Sequence, residues 1–326
     1  MKKILNYILI AVYILVFSEI ILITFSKLFT ISTLEKLKYA NKFIVNNVEG
    51  EKVFKSHKKN YSGDIMGVNL RFNSLGFRGK DISKNNIDNE KKIMVLGSSL
   101  VMGWGIEENK TFAKILEKKI NDNKKFYTTT TVNTGIMHTN TEFHYHVFKK
   151  NYETINPDLV VLGYFIDDAK NLSTKKLPFF VKNFFLGSVI YQVLKSSSAE
   201  NLDEYYLRIN SKKNENWQNV IKNVNKIREL CEKKNIEFLV VILPDFSNFS
   251  ENNSLDNLYI DIYNRFNEDE ILTINPYKSL QKEFKNNEKN SWISSDDNHP
   301  NGKANEIIAN EIFDVIDTNK LLHIKN

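Results

Sequence analysis

Cysteine is almost absent. Cys231 is the only one in 326 residues, which excludes an internal disulfide and any zinc site built on several thiolates. Proline (5) and glycine (12) are scarce, so collagen-like and proline-rich classes fall away. No dense run of one charge exists. The 45 Lys and Arg against 39 Asp and Glu leave a net +6 scattered among asparagines. That balance gives a weak preference for anionic surroundings and no nucleic-acid footprint. Histidines are few, and His144 and His146 stand two apart, pointing to opposite sides of a helix; with His138 they make a poor metal set. What remains, 42% hydrophobic and 26% charged, is the composition of an ordinary globular protein. It excludes both a wholly disordered chain and a multi-span membrane protein.

One long hydrophobic run is present. After Lys2 and Lys3, residues Ile4 to Phe25 contain only Asn6, Ser18, Glu19 and Thr24 as clearly polar positions. As a helix this run is roughly 33 Å long, enough for a bilayer core of about 30 Å. It exceeds the h-region of a cleaved signal peptide, and no small-x-small site follows closely. The segment therefore predicts an uncleaved single-pass anchor over residues 1–28. The two lysines place its N-terminus in the cytoplasm and the remainder outside it. Glu19 counts against this reading, because an acid at the membrane centre costs about 2.5–3.5 kcal/mol.

Residues 29–90 are polar, with few apolar runs, and read as a linker or N-terminal extension. They include the turn-rich stretch Asn73-Ser74-Leu75-Gly76-Phe77-Arg78-Gly79 and end in a charged loop at Lys84–Lys92. From Ile93 the texture changes. Short apolar strands at Ile93–Leu96, Thr130–Asn133, Leu159–Leu162, Phe238–Leu243 and Ile271–Ile274 alternate with helix-spaced apolar stripes such as Val220, Val224, Ile227 and Leu230. This alternation predicts an α/β fold over residues 91–318: a three-layer α/β/α sandwich with a mostly parallel sheet. Residues 319–326 read as a tail. Residues 170–215 interrupt the alternation. Their aromatic segment Leu177–Leu194 offers a cap, a membrane-facing surface or an inserted helix packed into the core, and core packing is the expectation.

In open α/β sheets the functional groups gather at the carboxyl ends of the strands. Here those ends carry Gly97-Ser98-Ser99-Leu100, Asn133-Thr134-Gly135 and Gly163-Tyr164-Phe165-Ile166-Asp167-Asp168, and Asp296-Asp297-Asn298-His299-Pro300 precedes the last helix. The set resembles the four blocks of the SGNH (GDSL-type) hydrolase family, across about residues 91–318. Gly97–Leu100 is similar to its Gly-Asp-Ser-Leu nucleophile block, Gly135 to its second-block glycine, Gly163–Asp168 to a longer Gly-x-Asn-Asp block, and Asp296 with His299 to its Asp-x-x-His block. The Asn73–Gly79 stretch is similar to a segment of membrane-anchored bacterial members. Two positions depart from the pattern: Ser98 stands for Asp, and Asp167 stands for the Asn that donates to the oxyanion. An ionised Asp has no hydrogen to donate.

The residues themselves point to the same chemistry. A serine hydroxyl becomes a nucleophile when a base takes its proton and a third group orients that base. Ser99 lies at a strand-to-loop turn with small neighbours, His299 supplies the base, and Asp296, three residues earlier, is the expected orienting carboxylate. Backbone N–H groups of Ser99 and Gly135 are the expected oxyanion donors, with Asp167 at the third position. Other motifs fail: no second glycine completes a nucleophile elbow around Ser99, and no Lys-Ser/Thr follows Gly97, Gly103 and Gly105.

The resemblance implies a membrane-anchored extracytoplasmic serine esterase. It would remove an acyl group, most readily acetyl, from a cell-surface glycan or lipid through an acyl-serine, with no metal or cofactor. Two alternatives stay open: an O-acetyltransferase of the same fold fed by a membrane acyl-donor protein, and a catalytically silent glycan-binding or scaffold protein. Asp167 keeps the second alternative open.

Overall fold

The computed structural model describes residues 2–28, 31–49, 52–82, 90–172, 178–196 and 200–323. Residues 84–89 of the predicted loop and the last three of the tail lie outside them, while Lys91 and Lys92 already belong to a strand. The described chain runs through α1 (Lys2–Leu28), α2 (Ser32–Lys42), β1 (Ile44–Glu49), β2 (Lys52–His57), β3 (Tyr61–Ile65), β4 (Val68–Phe72), β5 (Lys91–Gly97), α3 (Ser99–Met102), α4 (Phe112–Asn121), β6 (Thr129–Asn133), α5 (Thr141–Ile155) and β7 (Leu159–Phe165). It continues through α6 (Phe179–Asn183), α7 (Phe185–Ser196), α8 (Leu202–Ile209), α9 (Glu215–Lys234), β8 (Glu237–Leu243), α10 (Asp256–Glu268), β9 (Thr273–Ile274), α11 (Tyr277–Phe284), β10 (Trp292–Ser294), β11 (Asp297–Pro300) and α12 (Gly302–Thr318).

The sheet has the order β6-β5-β7-β8-β9, and every pairing in it is parallel. Its strands are apolar on both faces because helices cover both: α4 packs with α12 on one side, α5 with α9 on the other. Ile93 to Leu96 and Leu159 to Leu162 are fully buried. The predicted α/β/α sandwich is what the chain forms. The connection from β5 leads first to β6 on one side, and the chain then crosses to β7 on the other. The carboxyl end of β5 is therefore the topological switch point, where a crevice opens in such sheets.

The described residues of the stretch read as a linker or N-terminal extension are folded. Hairpins β1–β2 and β3–β4 and helix α2 build a small second core of Tyr39, Phe43, Ile65, Leu70 and Phe72, closed by Met102, Trp104 and Met137 from the α/β unit. Because three of its members come from elsewhere in the chain, no local pattern announces this core. The Asn73–Gly79 stretch ties the two units together. Asn73 Oδ1 accepts the N–H groups of Leu75 (2.9 Å) and Phe77 (3.0 Å). The buried Arg78 donates to the carbonyls of Met102 (2.6 Å), Gly103 (2.5 Å) and Ile106 (2.5 Å), fixing the loop that follows α3. Burial lowers the Arg78 guanidinium to a pKa of about 10, against the opposing charge of Glu108.

Helix α1 is long and apolar enough to cross a membrane: its Lys2–Phe25 stretch has a mean hydropathy of 2.7, and its side chains are exposed except where Ser18, Glu19 and Leu22 are half-buried. Glu19 is not an isolated acid. Its two carboxyl oxygens accept the N–H groups of Phe185 (2.8 Å) and Leu186 (2.9 Å), the first residues of α7. The expected core packing of Leu177–Leu194 is overturned, since Phe179 and Phe180 of α6 and Ile190 of α7 face outward.

Candidate active site

Gly97 ends β5 with φ 157°, and a Cβ there would meet Val101 Cγ2 at 2.2 Å and Gly163 O at 2.9 Å. This tight exit delivers Ser99 as the first residue of the one-turn helix α3, half-buried at the crevice. Ser99 Oγ lies 2.9 Å from His299 Nε2. His299 Nδ1 lies 2.5 Å from Oδ1 of Asp297. The predicted partners Ser99 and His299 are thus brought together.

Asp296 is a correction. Its Oδ1 accepts from Ser294 Oγ (2.6 Å) and its Oδ2 from Ser32 N (3.4 Å), and it is solvent-exposed. The reason is local geometry. Residues 297–300 form strand β11, paired with β10, and in a strand positions two apart share a face. Asp297 therefore reaches the imidazole, and Asp296, three before His299, turns away at the hairpin tip.

Asp297 is held by groups that the sequence does not flag. Its Oδ1 also accepts the His299 N–H (3.2 Å), while Oδ2 accepts from Ser32 Oγ (2.5 Å) and Trp104 Nε1 (3.0 Å), with Lys36 Nζ at 3.6 Å. Burial alone would push this carboxyl up. The hydrogen bond and charge of His299, followed by Lys36 and Ser32, hold it well below the usual carboxylate range. An ionised Asp297 can only accept, so the Nδ1–H of His299 donates to it and Nε2 is left as the acceptor that faces the Ser99 hydroxyl.

The oxyanion side differs from expectation at two positions. The Gly135 N–H donates to Asn133 Oδ1 (3.0 Å) and is spent. Gly135 is needed for space instead: a Cβ would lie 2.3 Å from Met102 N. Beyond β6 the crevice is lined by Met137 and His138, and His138 holds φ 56°. Its N–H has no partner among the described residues, as is true of the Ser99 N–H. Asp167 pairs with Lys170 and accepts from Tyr205 Oη (3.2 Å). Both of its carboxyl oxygens are thus engaged, one by Tyr205 and the other by Lys170. Asp167→Asn should accordingly leave the pH–rate profile unchanged and alter turnover by less than about threefold; a profile extended to higher pH would return Asp167 to the oxyanion role.

Asp168 is buried, with Oδ2 accepting the Phe165 N–H at 3.1 Å. Burial pushes its carboxyl well above the usual range, against the Phe165 N–H and the charge of Lys170. The folded chain thus keeps a proton that the unfolded chain releases above about pH 4, and stability falls as pH rises from there. Asn binds no such proton. Thermal unfolding of Asp168→Asn at pH 4.5 and pH 8 should show the variant gaining on the parent at pH 8. An equal difference at both values would contradict a neutral Asp168.

Lys36, Phe165, Lys170, Leu202, Tyr206 and Phe246 line the walls of the cleft, whose volume is about 220 Å³. Among the described residues no group of three or more His, Cys, Asp or Glu is placed to hold a metal ion.

No family model and no curated protein matches the sequence. Solved structures do. TesA is 11% identical, with 70% of this chain and 99% of that one covered and a TM-score of 0.45. The acetyl xylan esterase AlAXEase is 15% identical over 69% and 99%, TM-score 0.43. A lipase/acylhydrolase from Enterococcus faecalis is 13% identical over 70% and 96%, TM-score 0.41.

Proposed function

We propose that this chain is a membrane-anchored serine ester hydrolase acting outside the cytoplasm. The observation that carries the reading is the continuous Ser99–His299–Asp297 relay at the switch point of the sheet. His299 Nε2 takes the proton as Ser99 Oγ attacks the ester carbonyl. The oxyanion that forms lies within reach of main-chain donors, with the N–H groups of Ser99 and His138 as candidates. Collapse of the intermediate leaves acyl-Ser99 and releases the alcohol, which takes the proton back from His299. Water, deprotonated by His299, then attacks acyl-Ser99, and the acid leaves. Asp297 stays ionised throughout and stabilises the imidazolium.

A small acyl group such as acetyl, carried by a cell-surface glycan or lipid, suits a cleft of this size. The Lys2-Lys3 flank of α1 favours the extracytoplasmic placement. The full chain in detergent micelles should release acetate from a soluble acetyl ester and from an acetylated polysaccharide. Acetyl transfer to added polysaccharide with little free acetate would instead identify an acyltransferase of the same fold. No turnover of either kind would leave a binding protein.

A further inference from the structure

Helices α6 and α7 expose their apolar side chains. Phe179 and Phe180 are 68% and 69% exposed, Ile190 49%, Phe184 and Tyr191 38% each. On α7 only Ser188 is buried among the residues whose side chains are described. A soluble domain rarely leaves such a cluster uncovered. Helix α7 packs against α1, and α2 lies against both α6 and α7.

The contact fixes a depth. Glu19 accepts the first two N–H groups of α7, at 2.8 and 2.9 Å. Glu19 lies six residues inside Phe25, the end of the stretch long and apolar enough to cross a membrane, a distance of about 9 Å along the helix. In-plane amphipathic helices bury their apolar faces by about 5–10 Å. The same bonds satisfy N–H groups at the start of α7, which would be costly to leave bare in lipid, and they meet the acid with the positive end of a helix.

We propose that α6 and α7 form an in-plane membrane element docked on α1, with the lipid of the adjoining leaflet covering their outward apolar side chains. The proposal rests on α1 sitting in a membrane and is independent of the esterase reading. Its consequence for the cleft is spatial. Helix α2 packs against both α6 and α7 and sends Ser32 and Lys36 to Asp297, and Leu202 at the start of α8 lines the cleft. The site therefore lies one element away from the lipid.

The test is a depth measurement on the full chain in vesicles of phosphatidylcholine and phosphatidylglycerol. Single cysteines are introduced as Phe180→Cys and Ile190→Cys and labelled with a nitroxide. Cys231 is buried and burial pushes its thiol up to about 12, so it does not compete for the label. Leu9→Cys in α1 and Lys118→Cys on α4, whose side chains are strongly exposed, give the lipid and water references. Collision rates with oxygen, which partitions into lipid, are compared with those of a water-soluble nickel chelate. The expected oxygen-to-nickel ratio at positions 180 and 190 is several-fold above that at 118 and close to that at 9. A ratio equal to that at 118 overturns the proposal, because the helices then stand in water. Suppression of both collision rates also overturns it, because protein, such as a second copy of the chain, then covers them. A water-like ratio at position 9 as well would overturn the span itself.

Discussion

Ser99→Ala is expected to lower kcat on a soluble acetyl ester by roughly 10⁴–10⁶-fold, the range seen when the nucleophile of a serine relay is removed. Folding should be unaffected, because Ser99 is half-buried and its hydroxyl bonds only His299 among the described residues. The far- and near-ultraviolet circular dichroism of the variant should match the parent. Ser98 lies beside it, but its buried hydroxyl is set toward the structural Asp168 carboxyl and bonds no imidazole among the described residues, and Ser98→Ala should stay within about tenfold of the parent rate. A Ser99→Ala variant with kcat close to the parent would remove Ser99 from the chemistry.

The second large effect separates two adjacent carboxylates. Asp297→Asn should reduce kcat by about 10⁴-fold, because an amide in that position favours the wrong imidazole tautomer and leaves the imidazolium without its counter-charge. Asp296→Asn should reduce it by no more than about threefold, since Asp296 touches Ser294 and the Ser32 N–H and has no bond to His299. The reverse order of effects would restore Asp296 as the orienting group. The Asp297 charge also bears on acid stability. Its folded-state pKa is depressed, so its contribution is complete above the unfolded value of about 3.9 and is lost as pH falls below that.

These two residues show how far a sequence reading carries. The α/β alternation, the strand ends and the Ser99 and His299 pair were legible because each depends on local patterns: apolar runs of strand length, a glycine at the exit, and a proline and helix after the histidine. The identity of the carboxylate was not. It depends on whether residues 297–299 are extended or looped, and a three-residue strand partner at Trp292–Ser294 gives no periodic signal of its own. An alternation rule applied to Asp297-x-His299 could have found it. Ser32, Lys36 and Trp104 were out of reach for a different reason. They converge on Asp297 from more than 190 residues away, two of them from a segment with no long apolar run. The role of Glu19 was hidden likewise, since its bonds to Phe185 and Leu186 span 166 and 167 positions. Gly135 was legible as a required glycine, but the requirement is the approach of the Met102 backbone, while its N–H serves Asn133.

A fluorophosphonate probe reads the nucleophile without any assumption about substrate. Attack by the serine oxygen on phosphorus, with loss of fluoride, leaves a stable adduct only where a base activates the hydroxyl. Intact-mass and peptide mapping of the full chain should find one adduct, on Ser99. It should be lost in Ser99→Ala and in His299→Ala, strongly slowed in Asp297→Asn, and formed at the parent rate in Asp296→Asn. No adduct on the folded parent chain, or an adduct on a serine other than Ser99, would contradict a Ser99–His299–Asp297 relay.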